Sequence, residues 1–207
     1  MLRTTLLEAL YGVWPMIVIF TVVLASFRIT YILYRREKFV LYKELYSLMF
    51  LIYILVLFYV VTFQDNNYAD SNLVPFREIF RYNVGSGLFY TNVVGNVLLF
   101  LPFGFFVSSY LRNRNVYPVL VLSIISSLSI ELTQSAIGRT FDIDDIILNV
   151  FGGIIGYLLW KFVYSMRKKL PKPLRKDWFA NLITITIIFI LIFYIIEVHT
   201  YLIGLVT

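Results

Sequence analysis

The chain has 207 residues, of which 60% are hydrophobic, 18% aromatic and only 14% charged, with a formal net charge of +6. Soluble domains carry about 25% charged and 45–50% apolar residues, so this chain has too little polar sequence to cover a water-soluble globule. Cysteine is absent, which excludes disulfides, zinc–thiolate sites, iron–sulfur clusters and a cysteine nucleophile.

A bilayer core of about 30 Å is crossed by about 20 helical residues. Six apolar stretches reach that length, at 13–34, 45–63, 93–110, 116–137, 146–164 and 179–201. The runs are too long and too uniformly apolar for alternating barrel strands. The predicted fold class is therefore all-α, a polytopic transmembrane bundle of about six helices. The first stretch contains Val23-Leu24-Ala25, a weak cleavage signal. Cleavage there would send Arg35-Arg36-Glu37-Lys38 outside, against the positive-inside bias, so the segment reads as retained.

Charge orients the bundle. The loops after the first, third and fifth segments, with adjoining helix ends, hold 14 basic residues against three acids, a net of +11. The opposite side has Arg3, Arg77, Arg81 and Arg139 against nine acids (Glu8, Asp65, Asp70, Glu78, Glu131, Asp142, Asp144, Asp145 and Glu197), a net of −5. This partition predicts cytoplasmic basic loops and both termini extracellular. The basic run Arg167–Lys176 then reads as topogenic charge on anionic headgroups, with no nucleic-acid partner.

Intramembrane polar residues are costly, and here they fall in stripes. In the fourth segment Ser123, Ser127, Glu131, Gln134 and Gly138 share one helical face; in the fifth, Asp142, Asp145, Asn149, Gly152 and Gly156 do the same. Asn92 and Asn96 are four apart ahead of Pro102, which is expected to kink or thin its helix. In the predicted orientation these groups, with Arg77, Arg81 and Arg139, converge on one pocket opening at the outer leaflet. Plainer readings apply to single members. Asp142 or Asp144 can cap the fifth helix, Gly152 and Gly156 can form a close helix contact, and Arg77, Glu78 and Arg81 can be a solvated turn. Glu131 needs a partner, either Arg139 or a proton.

The blocks Asn72-Leu73-Val74-Pro75-Phe76 and Asn96-Val97-Leu98-Leu99-Phe100-Leu101-Pro102-Phe103-Gly104 resemble the VanZ-like family of bacterial membrane proteins. So do Ile130-Glu131-Leu132-Thr133-Gln134, the run Arg139-Thr140-Phe141-Asp142-Ile143-Asp144-Asp145-Ile146-Ile147-Leu148-Asn149, and Gly152-Gly153. The resemblance spans 45–164. It leaves 1–44 as an additional helix with a basic loop, 165–178 as a second basic loop and 179–207 as a C-terminal helix. It implies a role in resistance to teicoplanin and related lipoglycopeptides. Its motif residues mark Asn96, Glu131, Gln134, Arg139, Asp142, Asp145 and Asn149, with Arg77.

Three mechanisms fit these residues. In an enzyme, Glu131 with Asp142 or Asp145 acts as an acid/base pair on a lipid headgroup, while Arg77, Arg81 and Arg139 hold its phosphate. Asn92, Asn96, Gln134 and Asn149 complete the ligand-binding set. The cofactor is none or a hard divalent cation on Glu131, Asp142 and Asp145; zinc is disfavoured with a single distant histidine. In a binding module the same pocket holds a membrane lipid, a lipid-linked cell-wall precursor or a lipoglycopeptide antibiotic without chemistry. In a transporter the acids relay protons or cations, against which stands the absence of paired inverted repeats.

Overall fold

The computed structural model describes residues 2–63, 71–112 and 115–204, except for the side chains of 2–11, 13, 62–63, 191–192 and 194–204. Arg114, Asp65 and Asp70, and the side chains of Arg3, Glu8, Glu197 and His199, therefore lie outside the described residues. The fold is all-α. Long helices α1 (Leu2–Arg35) and α2 (Leu41–Phe63) lead to a short α3 (Arg77–Arg81). A π-helical turn (Phe89–Val94) runs directly into α4 (Gly95–Leu111), followed by α5 (Tyr117–Ala136), α6 (Ile143–Lys169), a 3₁₀ turn (Lys172–Arg175) and α7 (Asp177–Gly204). Among the described residues, five helical segments are long and apolar enough to cross a membrane: Trp14–Arg35, Leu41–Val61, Phe89–Leu111, Tyr117–Ala136 and Ile143–Lys169. The expected sixth span falls on α7, whose described apolar stretch is Asp177–Ile190.

Helix α6 is the centre of the bundle, and α4 packs along it more extensively than any other pair. Small residues allow this approach. A methyl group on Gly104 would collide with the backbone of Gly153, one on Gly152 with the carbonyl of Val97, and one on Gly156 with the carbonyl of Leu101. Gly152 and Gly156 are thus a helix–helix contact, in which packing substitutes for the absent hydrophobic force between helices in lipid. Gly153 also faces Ser123 and so seats α5 against the same helix. Around this axis Phe100, Phe103 and Val107 of α4 pack with Val119, Tyr157, Trp160 and, from α2, Leu57 and Val61. The opposite faces present Ile124, Ile125, Phe151, Leu158 and Phe162 outward, as a bilayer solvent requires.

Pro102 sits inside α4, and the neighbouring carbonyl of Leu99 accepts a hydrogen bond from the Tyr53 hydroxyl at 2.8 Å. The irregular turn lies upstream of the proline, at Phe89–Val94, a form of distortion that recurs at functional sites. At the other end of α2, the Tyr42 amide donates to Asn181 at 3.1 Å, and Lys43 pairs with Asp177 at 3.0 Å. Helix α1 is held to α2 by Arg28, whose guanidinium meets both oxygens of Glu44 at 3.0 and 3.1 Å.

Candidate functional site: the junction of α4, α5 and α6 with the preceding loop

The turn between α5 and α6 sets the geometry. Gly138 takes a positive φ of 85°, the left-handed conformation that closes helix C-termini with least strain in glycine. The Arg139 amide then returns to the Gln134 carbonyl at 2.9 Å. Asp142 follows in an extended conformation as the N-cap of α6, its carboxylate accepting from the Asp144 amide at 2.9 Å. This is the capping role available to Asp or Asn at a helix start.

Asn72 joins the loop before α4 to this cap. It forms an isolated parallel bridge with Asp142. The Asn72 amide donates to Phe141 at 2.8 Å, and Ile143 donates to the Asn72 carbonyl at 3.0 Å. Its side-chain amide donates to Asp142 at 2.9 Å. Asp144 completes the attachment. Almost fully buried at 1% exposure, its carboxylate accepts from the amides of Phe76, of Glu78 at 2.7 Å and of Ile79 at 3.2 Å. These bonds satisfy the first turn of α3 and hold Phe76 at a φ of 67°, where a residue with a Cβ is strained. The acid thus organises loop residues that lie 65, 66 and 68 positions earlier in the chain.

Glu131 is also buried, at 1% exposure, and accepts from the Asp142 amide at 2.9 Å. Of the two expected partners, Arg139 or a proton, the arginine is engaged elsewhere, and a backbone N–H of the cap itself bonds the carboxyl group. Arg139 instead donates to the Val61 carbonyl, and Gln134 reaches the same oxygen at 3.3 Å. These two residues serve the end of α2, where the last carbonyls of a helix lack intrahelical donors. Asn96 donates to Asp145, tying α4 to the first turn of α6. Asn92, on the π-helical turn, lies against the Tyr82 hydroxyl. Asn149 is deeper and buried, donating to Ser127 at 2.9 Å, while among the described residues its own carbonyl oxygen and the Ser123 hydroxyl have no hydrogen-bond partner.

Of the three arginines expected to face a headgroup, Arg81 is ion-paired with Glu78 at 3.1 Å, the solvated i,i+3 turn. Arg139 is committed to Val61, and Arg77 remains exposed at the start of α3. The three carboxylates proposed as metal ligands are each committed elsewhere: Glu131 to an amide, Asp142 to Asn72 and Asp144, and Asp145 to Asn96. Among the described residues no group of three or more His, Cys, Asp or Glu is placed to hold a metal ion. Outside the spans, burial pushes the Asp142 carboxyl above the ordinary aspartate range, with Asp144 and Glu78 adding repulsion and the bonds from Asp144 and Asn72 opposing it. The Tyr82 hydroxyl is likewise raised by burial.

The sequence stripes point to Glu131, Asp142, Asp145 and Asn96, which the structure brings to one junction, but not to what holds the loop over them. Tyr82 has no local pattern. Asp144 reads only as one acid of a helix start, and Asn72 only as part of a motif. The arrangement is an acid and amide junction at one end of the bundle, with two exposed guanidiniums on the attached loop: that of Arg81 pairs with Glu78, and that of Arg77 forms no salt bridge among the described residues.

A family model described as VanZ/LLP1 matches residues 45–164. Protein VanZ of Enterococcus faecium is 31% identical over 91 residues, covering 43% of this chain and 51% of that protein. The aligned region thus spans about half the length of that relative. No solved structure matches.

Proposed function

Since the chain belongs to the VanZ/LLP1 family, we propose that it is a multi-pass protein of the bacterial plasma membrane that lowers susceptibility to lipoglycopeptide antibiotics of the teicoplanin type. In this reading both termini and the α4–α6 junction face outward, because the basic loops belong on the cytoplasmic side. The junction receives the polar head of an outer-leaflet amphiphile, a membrane lipid or a lipid-linked cell-wall precursor. Arg77 meets its phosphate, and Asn92, Asn96 and Asp145 take its hydroxyl or amide groups.

The observation that carries this reading is the attachment of the loop to α6 through Asp144 and Asn72. A loop fixed by buried hydrogen bonds carries an exposed cation, Arg77, and preorganisation of that kind reduces the ordering cost of binding. Binding is favoured over chemistry because Glu131 is enclosed and bonded to a backbone amide. The catalytic alternative rests on the raised Asp142 carboxyl, a group suited to proton transfer nearer neutral pH; headgroup turnover by the purified protein would decide for it.

Two measurements test the proposal. The chain lacks cysteine, so Asn83→Cys should react with a membrane-impermeant maleimide in intact cells, and Lys38→Cys only after lysis. The reverse pattern overturns the orientation. In a glycopeptide-sensitive host, the wild-type chain should raise the inhibitory concentration of teicoplanin more than that of a non-acylated glycopeptide. Arg77→Gln, at an exposed position, should remove that protection while membrane levels stay unchanged. Full protection by Arg77→Gln, or equal protection against both drugs, refutes the headgroup site.

A further inference from the structure

At the end of the bundle opposite the acid junction, α1 stands off from α4 and α6 and borders a half-open cavity of about 1700 Å³. Its lining contains six basic side chains (Arg28, Lys43, Arg112, Arg167, Lys168 and Arg175) against two acids, Glu44 and Asp177. Both acids are already taken, Glu44 by Arg28 at 3.0 Å and Asp177 by Lys43 at 3.0 Å. Among the described residues Arg112, Lys168 and Arg175 form no salt bridge. Lys168 lies over the Tyr164 ring at 4.7 Å, and Arg175 donates to the Leu170 carbonyl at 2.7 Å. The cavity therefore carries an uncompensated positive charge at its rim.

The lining changes character with depth. On α1 it runs from Tyr34 back to Thr21 through Ile32, Ile29 and Leu24, interrupted by the Arg28–Glu44 pair, with Leu48 and Leu51 of α2 and Trp160 of α6 facing the same space. At 1.5 Å per residue the α1 wall is about 20 Å long, more than half of a hydrocarbon core of about 30 Å. A cationic mouth followed by an apolar, aromatic shaft matches a molecule with an anionic head and an acyl tail lying along the bilayer normal. A soluble anion would use the mouth and leave the shaft unfilled. A zwitterionic lipid would fill the shaft and leave the positive charge unanswered.

We propose that the cavity between α1, α2, α4 and α6 is a binding slot for an anionic glycerophospholipid from the leaflet that the basic loops face, with the phosphate held by Arg112, Lys168 and Arg175. This site is separate from the α4–α6 junction and does not depend on what binds there. It gives α1 a role: the helix is the outer wall of the slot. It also separates the cations that line the slot from Lys169, Lys172 and Lys176, which are absent from its wall and supply diffuse charge to the membrane surface.

Trp160 reports occupancy directly. The full chain with Trp14→Phe and Trp178→Phe retains one of its three tryptophans and is reconstituted in vesicles of phosphatidylcholine with a minor fraction of phosphatidylglycerol. Bromine is placed on the acyl chains of one lipid or the other. Brominated phosphatidylglycerol should quench Trp160 well beyond its mole fraction, with a relative affinity falling about fivefold for each slot cation neutralised. The triple variant R112Q/K168Q/R175Q should lose the preference and keep its helical circular dichroism. The triple variant K169Q/K172Q/K176Q, equal in charge removed, should keep it. Equal quenching by both lipids overturns the proposal, and so does an equal loss in the two triple variants. If the first triple variant does not fold, K168Q alone carries the test: an unchanged preference refutes the slot.

Discussion

The two ends of the bundle hold most of its charge in opposite ways. At the α4–α6 junction most charges are acids, and the buried and half-buried ones are engaged: Asp144 accepts three backbone amides, Glu131 accepts one, and Asp142 accepts an amide and the Asn72 side chain. At the other end the charges are cations around an open space, and ion pairs there have exposed partners, such as Lys43 and Asp177 at 45% and 47% exposure. The difference follows from solvent. An acid within a membrane-spanning helix has no water to hydrogen-bond, so the chain must supply donors. Cations at a helix end reach headgroups and water with their long side chains and need no partner from the protein. One end is therefore built as structure and the other as surface.

The sharpest way to break this comparison is to remove one acid from each end. Asp144→Ala strands the amides of Phe76, Glu78 and Ile79 beside α6. Hydrogen bonds to a charged group contribute about 1.5–3 kcal/mol each, and bonds sharing one carboxylate are not additive, so a loss of about 3 kcal/mol is expected. Reversible unfolding in detergent micelles measures it, and amide exchange localises it: protection should fall at residues 76–79 and persist along α4 and α6. A loss below about 1 kcal/mol with exchange unchanged would mean that α3 is held by something other than Asp144.

How much of this is legible in the sequence depends on whether the signal is periodic. Helix positions follow from hydropathy, and the faces of α5 and α6 follow from spacing, which is why Ser127, Glu131 and Asn149 fall on polar stripes that the amino-acid order alone reveals. Capping of α6 by Asp142 is equally readable, since helix starts have a local chemical signature. The loop attachment is not. Asn72 and Asp144 act across about 70 positions of sequence, and neither has a neighbour at helical spacing that marks the pair. The roles of Gln134 and Arg139 are hidden for a related reason: their acceptor is the Val61 carbonyl, and backbone oxygens leave no trace in composition. The slot at the basic end escapes a sequence reading because a cavity is an absence between helices, and charge counting assigns its cations only to a side of the membrane.

The smallest effect belongs to the basic end. Asp177→Ala removes the carboxylate that accepts from Lys43 at 3.0 Å and from the Tyr42 hydroxyl at 2.9 Å. The pair is nearly half exposed on both sides, so water and salt screen most of its attraction, and ion pairs of this kind contribute about 0.2–1 kcal/mol. Asp177 also begins α7, where an acid is favoured by the helix dipole by about 0.3–1 kcal/mol, so the two contributions together stay well below the Asp144 loss. The Asp177 carboxyl lies below the ordinary aspartate range because Lys43 and Tyr42 bond to its charged form. A depressed carboxyl stabilises the fold above its unfolded value and ceases to do so as pH falls through the folded one. The difference between wild type and Asp177→Ala should therefore shrink on acidification below the ordinary aspartate value, and at neutral pH it should shrink with added salt. A salt-independent loss comparable to that of Asp144→Ala would show that the α2–α7 contact is buried structure, and the division between the two ends would not hold.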